Sequence, residues 1–494
     1  MTTIKTTLVF AASIALAATA CKKEEGTADP APKVTTDQKA ETPTAPKAES
    51  VPITSNVPGA IVSLREGRSL QEGFRFAEAT KRYKKAIELD PDFALAHAQL
   101  GMLGKGEASM KHREMAAKLA KDLPEAERLL IESMVADSDD ARKAALAALV
   151  IKVPGDWEVQ VLVARSALKK GKVKEARTAF EKAATLNPEA AHPHNNLAYL
   201  YAEEGDFEKA VKSVTKYAAM SPGEPNPLDS KGEILLMAGK FAESEAAFAE
   251  ALKLSETFAI AHEGIAATKF YRGDWEGGIA ELRKGTKKAV RAIDRHELQN
   301  KLAWALTAAG KQAEAKEAFA ASTLSAREAG IAKRAGEEST RAAELALDKG
   351  DYKAARKHAE RSLAEMVADD TPAKKQNWTR ALATIAAARS GAIEDAEKRL
   401  SSLTIDAKGS HYVALAQTHV AIAKGDRDGA LAAASELEGD KWFSGRAALL
   451  KAEALANAGE NDKAKEIRRE LSTRYRRDIR SVILAQKAKK AGEG

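Results

Sequence analysis

Nine histidines, one cysteine and 71 carboxylate residues are the groups in this 494-residue chain whose types could do chemistry. Their spacing forms no catalytic constellation. A Walker loop, a zinc-protease helix, a nucleophile elbow and a dinucleotide fingerprint are all absent from the sequence. His97, His194 and His262 stand four residues before Gly101, Ala198 and Ala266. Recurrence at one position of a repeated unit predicts a packing role for them, not a shared site. His192-Pro193-His194 alternates as metal ligands do, but no carboxylate or third ligand accompanies it. The lone cysteine, Cys21, excludes a disulfide framework and a multi-cysteine metal site. The chain is therefore expected not to be an enzyme, and to need no cofactor, metal or small-molecule substrate.

The elements around these residues are set by composition and period. Hydrophobic residues make up 44% and charged residues 30%, so the chain is neither disordered throughout nor membrane-embedded. Aromatics are 5%, which favours helices packed through small side chains over a β-sandwich. A net charge of +7 over so long a chain gives no case for nucleic-acid binding, and none is expected.

Residues 1–20 have the layout of a secretory signal. Lys5 is the only charge before an apolar run, Leu8 to Ala20, which is too short for a bilayer-spanning helix of about 20 residues. Residues 21–58 follow, rich in proline and poor in large apolar side chains, and read as a disordered linker. From residue 59 a period appears. Gly171, Gly205, Gly239 and Gly273 are each 34 apart, as are Pro154, Pro188 and Pro222. Small residues follow each glycine by five: Ala176, Ala210, Ser244 and Gly278. Phe180, Val214, Phe248 and Leu282 come four later. Downstream, Gly310, Gly350, Gly391, Gly425 and Gly459 continue the series at spacings of 37, 40, 41, 34 and 34, with alanine again five after each.

This pattern resembles the tetratricopeptide repeat, in which two antiparallel helices share 34 residues, with glycine in the turn and proline at the end. The resemblance implies an all-α, right-handed superhelical solenoid. It covers residues 59–471 as roughly ten to twelve helix pairs, with weaker matches over 104–150 and 285–400. Glu125–Ala136 reads as a longer helix after Pro124, and the wider downstream units as longer helices or loops. Ile467, Leu471, Tyr475, Ile479 and Val482 form one apolar face, so 472–494 is expected to be a capping helix with a basic tail. That tail reads as a solvated face, with anionic lipid as its best functional contact.

The family lines its concave groove from the first helix of each pair. Carried onto this sequence, the groove takes Arg165 and Lys169 from one unit and His192, Asn195, Tyr199 and Glu203 from the next. Asn226, Asp229 and Glu233 follow, then Glu263, Phe270 and Tyr271. Acidic residues prevail from Glu203 to Glu263, so a basic or amphipathic peptide or helix of a protein partner is the expected ligand. Ala18-Thr19-Ala20-Cys21 resembles the lipobox of bacterial lipoproteins, which implies lipidation of Cys21. The alternative is an ordinary signal cleaved near Ala20. Lys22 after the cysteine implies, by the same resemblance, the outer membrane facing the periplasm. Together these readings give a lipid-anchored scaffold for a complex of the cell envelope, with a passive structural spacer or a subunit assisting wall or secretion enzymes as alternatives.

Overall fold

The computed structural model describes residues 50–72, 75–104, 106–331, 336–407, 409–438 and 443–493. Signal segment 1–20, Cys21 and the linker up to residue 49 lie outside the described residues. The described chain is all-α, without a strand, and divides into two compact units. The first comprises residues 50–169 with 174–193, and the second residues 170–173 with 194–493.

Helices of the first unit are α1 (Pro58–Glu72), α2 (Phe76–Leu89), α3 (Ala94–Leu103), α4 (Glu107–Leu119), α5 (Glu125–Val135), α6 (Asp139–Lys152), α7 (Trp157–Lys169) and α8 (Val173–Leu186). α1 packs on α2, α3 on α4 and α5 on α6. The stretch 104–150 thus completes one pair and holds another. Glu125–Ala136 does not form a longer helix: Pro124 starts α5 and Ala136, in extended backbone, ends it after 11 residues.

The second unit contains α9 (Ala191–Glu203), α10 (Phe207–Met220), α11 (Pro225–Met237), α12 (Phe241–Leu254), α13 (Ala259–Tyr271), α14 (Trp275–Lys288), α15 (Ala292–Ala308) and α16 (Gln312–Glu328). It continues with α17 (Glu337–Asp348), α18 (Tyr352–Ala368), α19 (Ala373–Arg389), α20 (Ile393–Asp406), α21 (His411–Lys424) and α22 (Arg427–Ser435). It ends with α23 (Ser444–Asn457), α24 (Asn461–Ser472) and α25 (Ile479–Glu493). From α11 to α24 each odd helix packs on the next as a pair. The widened glycine spacings arise from helices of 17 residues, α15, α16, α18 and α19.

Local sequence explains the turns. The nine glycines from Gly171 to Gly459 all have φ between +70 and +85°, a region that penalises a Cβ. In four of these turns aspartate follows glycine and caps the next helix. Asp206, Asp274, Asp351 and Asp426 accept from the N–H three residues on, at 2.8–3.1 Å. Five residues after the glycines, Ala176, Ala210, Ser244, Ala355 and Ala396 are fully buried, where a larger group would force the helices apart.

Residues 50–57, which the sequence placed inside the disordered linker, belong to the first unit. Val51 N–H donates to Asp156 Oδ2 at 2.8 Å, and Thr54 N–H to Glu127 Oε1 at 3.0 Å. The Ser55 hydroxyl donates to Asp90 Oδ2. Val51, Ile53 and Val57 pack against the core of that unit. Three branched apolar residues in seven, Val51, Ile53 and Val57, supply the apolar surface that docks the strip, which a composition average over 21–58 conceals.

Near the C-terminal end, Arg389 of α19 forms an ion pair with Glu453 of α23 and donates through Nε to His419 Nδ1 of α21 at 2.8 Å. Burial, then Arg389 and Arg446, hold the His419 imidazole well below its ordinary range. Its folded pKa lies below the unfolded value, so its contribution to stability is present above about pH 6.5 and is lost as pH falls. Urea unfolding of the full chain at pH 7 and pH 5.5 should show wild type losing about 1.4 kcal/mol per pH unit from this group, and His419→Gln lacking that part of the loss.

Candidate functional site

The groove residues of the second unit are brought onto one face of α9, α11 and α13 by the 34-residue repeat. Asn195, Asp229 and Glu263 occupy equivalent positions, as do Tyr199 and Glu233, and Glu203 and Tyr271. Tyr199 donates its hydroxyl proton to Glu233 Oε2 at 2.9 Å. Asn195 and Asp229 are buried, and Glu203 is exposed at the rim. Glu263 pairs with Lys301 of α15 at 3.2 Å. Asn226 donates to the Tyr217 hydroxyl at 3.0 Å.

This face is occupied by the chain itself. α24 stops at Ser472, and the non-helical stretch 473–478 crosses the groove before α25 begins. Tyr475 sits edge-on to Phe241 and Tyr271, with ring centroids 4.9 and 5.0 Å away. The Arg476 N–H donates to the Tyr271 hydroxyl at 2.9 Å, and its guanidinium to Glu203 Oε2 at 2.9 Å. Arg477 is 8% exposed. It donates to Asp229 Oδ1 at 2.8 Å, also binds Glu233, and lies 5.4 Å above the Phe248 ring. α25 then packs Ile479 and Val482 into the cluster that contains Phe270, Leu298 and Leu302.

Two sequence readings of the tail are corrected here. The apolar face from Ile467 to Val482 is not one helix, because 473–478 leave helical geometry to seat their side chains. The basic tail is not a solvated face either, since its central arginine is buried among carboxylates.

The electrostatics follow from crowding acids out of water. Burial raises Asp229 to about 6, in spite of Arg477, with Glu233 adding repulsion. Burial also lifts Glu263. For Glu233 burial works the other way from the outcome: Arg477 and the Tyr199 hydroxyl outweigh it and hold the carboxyl low. Arg477 is held charged against burial by Asp229 and Glu233.

A close packing feature makes the seat. Phe248 is fully buried between two glycines, and a Cβ added to Gly264 would lie 2.3 Å from its ring, or to Gly232 2.7 Å. Gly264→Ala is expected to lower stability by about 1–3 kcal/mol through overpacking, read as a thermal-melting shift.

Other groove candidates fall elsewhere. Phe270 is 1% exposed, its ring against Trp275 and the Gly278 backbone, so it is a core residue. Arg165, His192 and Lys169 belong to the first unit. Arg165 donates to His192 Nε2 at 2.7 Å, and burial, with Arg165, lowers that imidazole to about 3. Lys169 is exposed. His97, His194 and His262, placed in packing roles by their recurrence, are all buried. Among the described residues no group of three or more His, Cys, Asp or Glu is placed to hold a metal ion. Sequence reasoning missed Tyr475, Arg476, Arg477 and Phe248 as parts of the site. The signal was present as an acidic groove and a Tyr-Arg-Arg run in one chain.

A tetratricopeptide repeat model matches residues 161–225. No curated protein matches the chain. Among solved structures the chain is similar to yeast Tom70, at 16% identity over 83% of this chain and 96% of that one, with a TM-score of 0.41. It is also similar to the Cut9–Hcn1 hetero-tetramer of the APC/C, at 15% identity over 84% and 77%, with a TM-score of 0.35. A third is YrrB, described as a TPR protein with an unusual peptide-binding site, at 12% identity over 37% and 92%, with a TM-score of 0.28. Tetratricopeptide repeat sequence is thus matched over residues 161–225, and the 34-residue glycine period and the paired helices continue beyond it.

Proposed function

We propose that this protein is a protein-binding scaffold of the bacterial cell envelope, anchored by lipid at Cys21, that holds an extended segment of a partner on the face of α9, α11 and α13. One observation carries the binding reading. That face grips a non-helical stretch, 475–477, with an aromatic seat for Tyr475, carboxylate seats for Arg476 and Arg477, and the Tyr271 hydroxyl accepting from the Arg476 N–H. A surface that orders a non-helical arginine-bearing stretch has the chemistry for peptide recognition, with apolar anchors for affinity and ion pairs for register.

The anchor reading rests on the small residues before Cys21 and on the apolar run from Leu8. Between Cys21 and residue 50 lie 28 residues of proline-rich sequence, enough chain for a lipidated cysteine to let the scaffold stand off the membrane. The test is in-cell crosslinking of the full chain followed by mass spectrometry, beside Glu203→Lys and Cys21→Ser variants. One dominant envelope partner, weakened by Glu203→Lys, with Cys21→Ser released from the membrane pellet, is the expected result. Equal weak capture by wild type and Glu203→Lys would contradict the binding reading. Membrane retention of Cys21→Ser would contradict the anchor.

A further inference from the structure

The C-terminal segment is a ligand with a flaw. Asp229, Glu233, Glu263 and the segment's own Asp478 are four carboxylates gathered around Arg477 and Lys301, with Arg476 at the rim. Asp478 repels the buried Glu263 and works against ionisation of Tyr271. Asp229, raised to about 6 chiefly by burial, is pushed further up by Glu233 and Glu263. Outside 475–477 the segment is held by Gln486, which donates to the Phe270 carbonyl at 2.9 Å, by Arg480, 5.0 Å above the Trp304 ring, and by apolar burial. α25 inserts Ile479, Val482, Ala485 and Ala488, two of which are alanines, and Lys487 pairs with Asp348 at the surface. The hinge lies in 475–478, after Thr473 and Arg474 have closed α24 by donating to the Glu470 and Leu471 carbonyls.

Resting on the protein-binding reading, we propose that the partner of this face presents an aromatic residue followed by two arginines and then a neutral or basic residue, and that it enters by displacing residues 474–493. The aromatic takes the place of Tyr475 over Gly239 and Phe241, and the second arginine the place of Arg477 above Phe248. A ligand lacking the acid at the position of Asp478 relieves the repulsion that the chain's own segment cannot. The segment therefore acts as a resident competitor, which keeps the acidic face closed to weakly matching peptides and opens it to a better one.

The probe is a fluorescein-labelled synthetic peptide of residues 472–483 carrying Asp478→Asn, followed by anisotropy with the full-length protein. A Tyr475→Ala/Arg477→Gln variant, whose own segment is loosened, should bind it about tenfold more tightly than wild type, because the competent fraction rises. A peptide keeping Asp478 should bind more weakly than the probe. Adding Asp229→Asn and Glu233→Gln to the protein should abolish binding. In wild type, saturating probe should speed amide exchange across 479–493, a readout that does not depend on how well any variant folds. No binding to the loosened variant together with unchanged exchange in wild type would overturn the proposal. So would a loosened variant that doubles in mass by light scattering and is not dispersed by the probe, since the occupant would then be a second copy. If the probe fails while the in-cell partner capture remains sensitive to Glu203→Lys, this inference falls and the scaffold reading stands.

Discussion

Arg477→Met should lower the stability of the second unit by about 3–5 kcal/mol, the cost of leaving buried carboxylates without their cation. Arg477 is 8% exposed, and Asp229, which it neutralises, is 3% exposed. Removing the arginine leaves Asp229 and Glu233 without their shared cation, while Lys301 stays paired with Glu263 and Glu297. The loss should be read as a shift in the urea midpoint, and it should be largely reversed when Asp229→Asn and Glu233→Gln are added. Such reversal separates ion pairing from simple loss of packing, since neutral amides no longer need the charge. The same cluster sets a pH dependence. The folded pKa of Asp229, about 6, stands above the ordinary carboxylate value, so the folded protein takes up this proton first. Its favourable contribution is fully present below about pH 4 and is lost as pH rises through about 6. Wild type should thus gain stability relative to Asp229→Asn when the pH is lowered from 7 to 5.

Phe248→Ala should cost about 3–5 kcal/mol, in the range for deleting a buried aromatic side chain. The ring is fully buried, wedged by Gly232 and Gly264, and no neighbouring Cβ at those positions can fill the space it leaves. It also underlies Arg477, so its loss should loosen the tail as well as the core. Phe180, equally buried but in the first unit, is the control. Phe180→Ala should destabilise the first unit while leaving amide exchange across 473–493 unchanged. Phe248→Ala should raise that exchange. Thermal melting with exchange mass spectrometry reads both.

Much of the fold was legible because the repeat states its geometry in single residues. A glycine every 34 residues names a left-handed turn, and an aspartate after it names a cap. The long units were legible as wide spacings, and they became helices of 17 residues. The acidic character of the groove was also legible, and Arg476 and Arg477 of the chain's own segment sit against it. What could not be read was which residues meet across the chain. Arg477 and Asp229 are 248 positions apart, and no local period links them. An arginine run on an amphipathic segment looks the same whether it faces water or a buried carboxylate. Phe270 shows the converse error: its repeat position faces the groove by rule, but the wide gap left by Gly278 draws its ring inward. Residues 50–57 were hidden by averaging over a proline-rich stretch, although Val51, Ile53 and Val57 carry the apolar surface that docks them.

The chain's own Tyr475–Arg477 stretch lies in the groove of α9, α11 and α13. Amide exchange of the 473–478 stretch in the wild-type protein tests it most directly. Thr473 and Arg474 donate to the Glu470 and Leu471 carbonyls at the end of α24, whereas the Arg476 N–H donates to the Tyr271 hydroxyl at 2.9 Å. The account predicts slow exchange at Arg476, abolished by Tyr271→Phe with the neighbouring helices still protected. Exchange at Arg476 as fast as in a free peptide, in wild type at neutral pH, would contradict it.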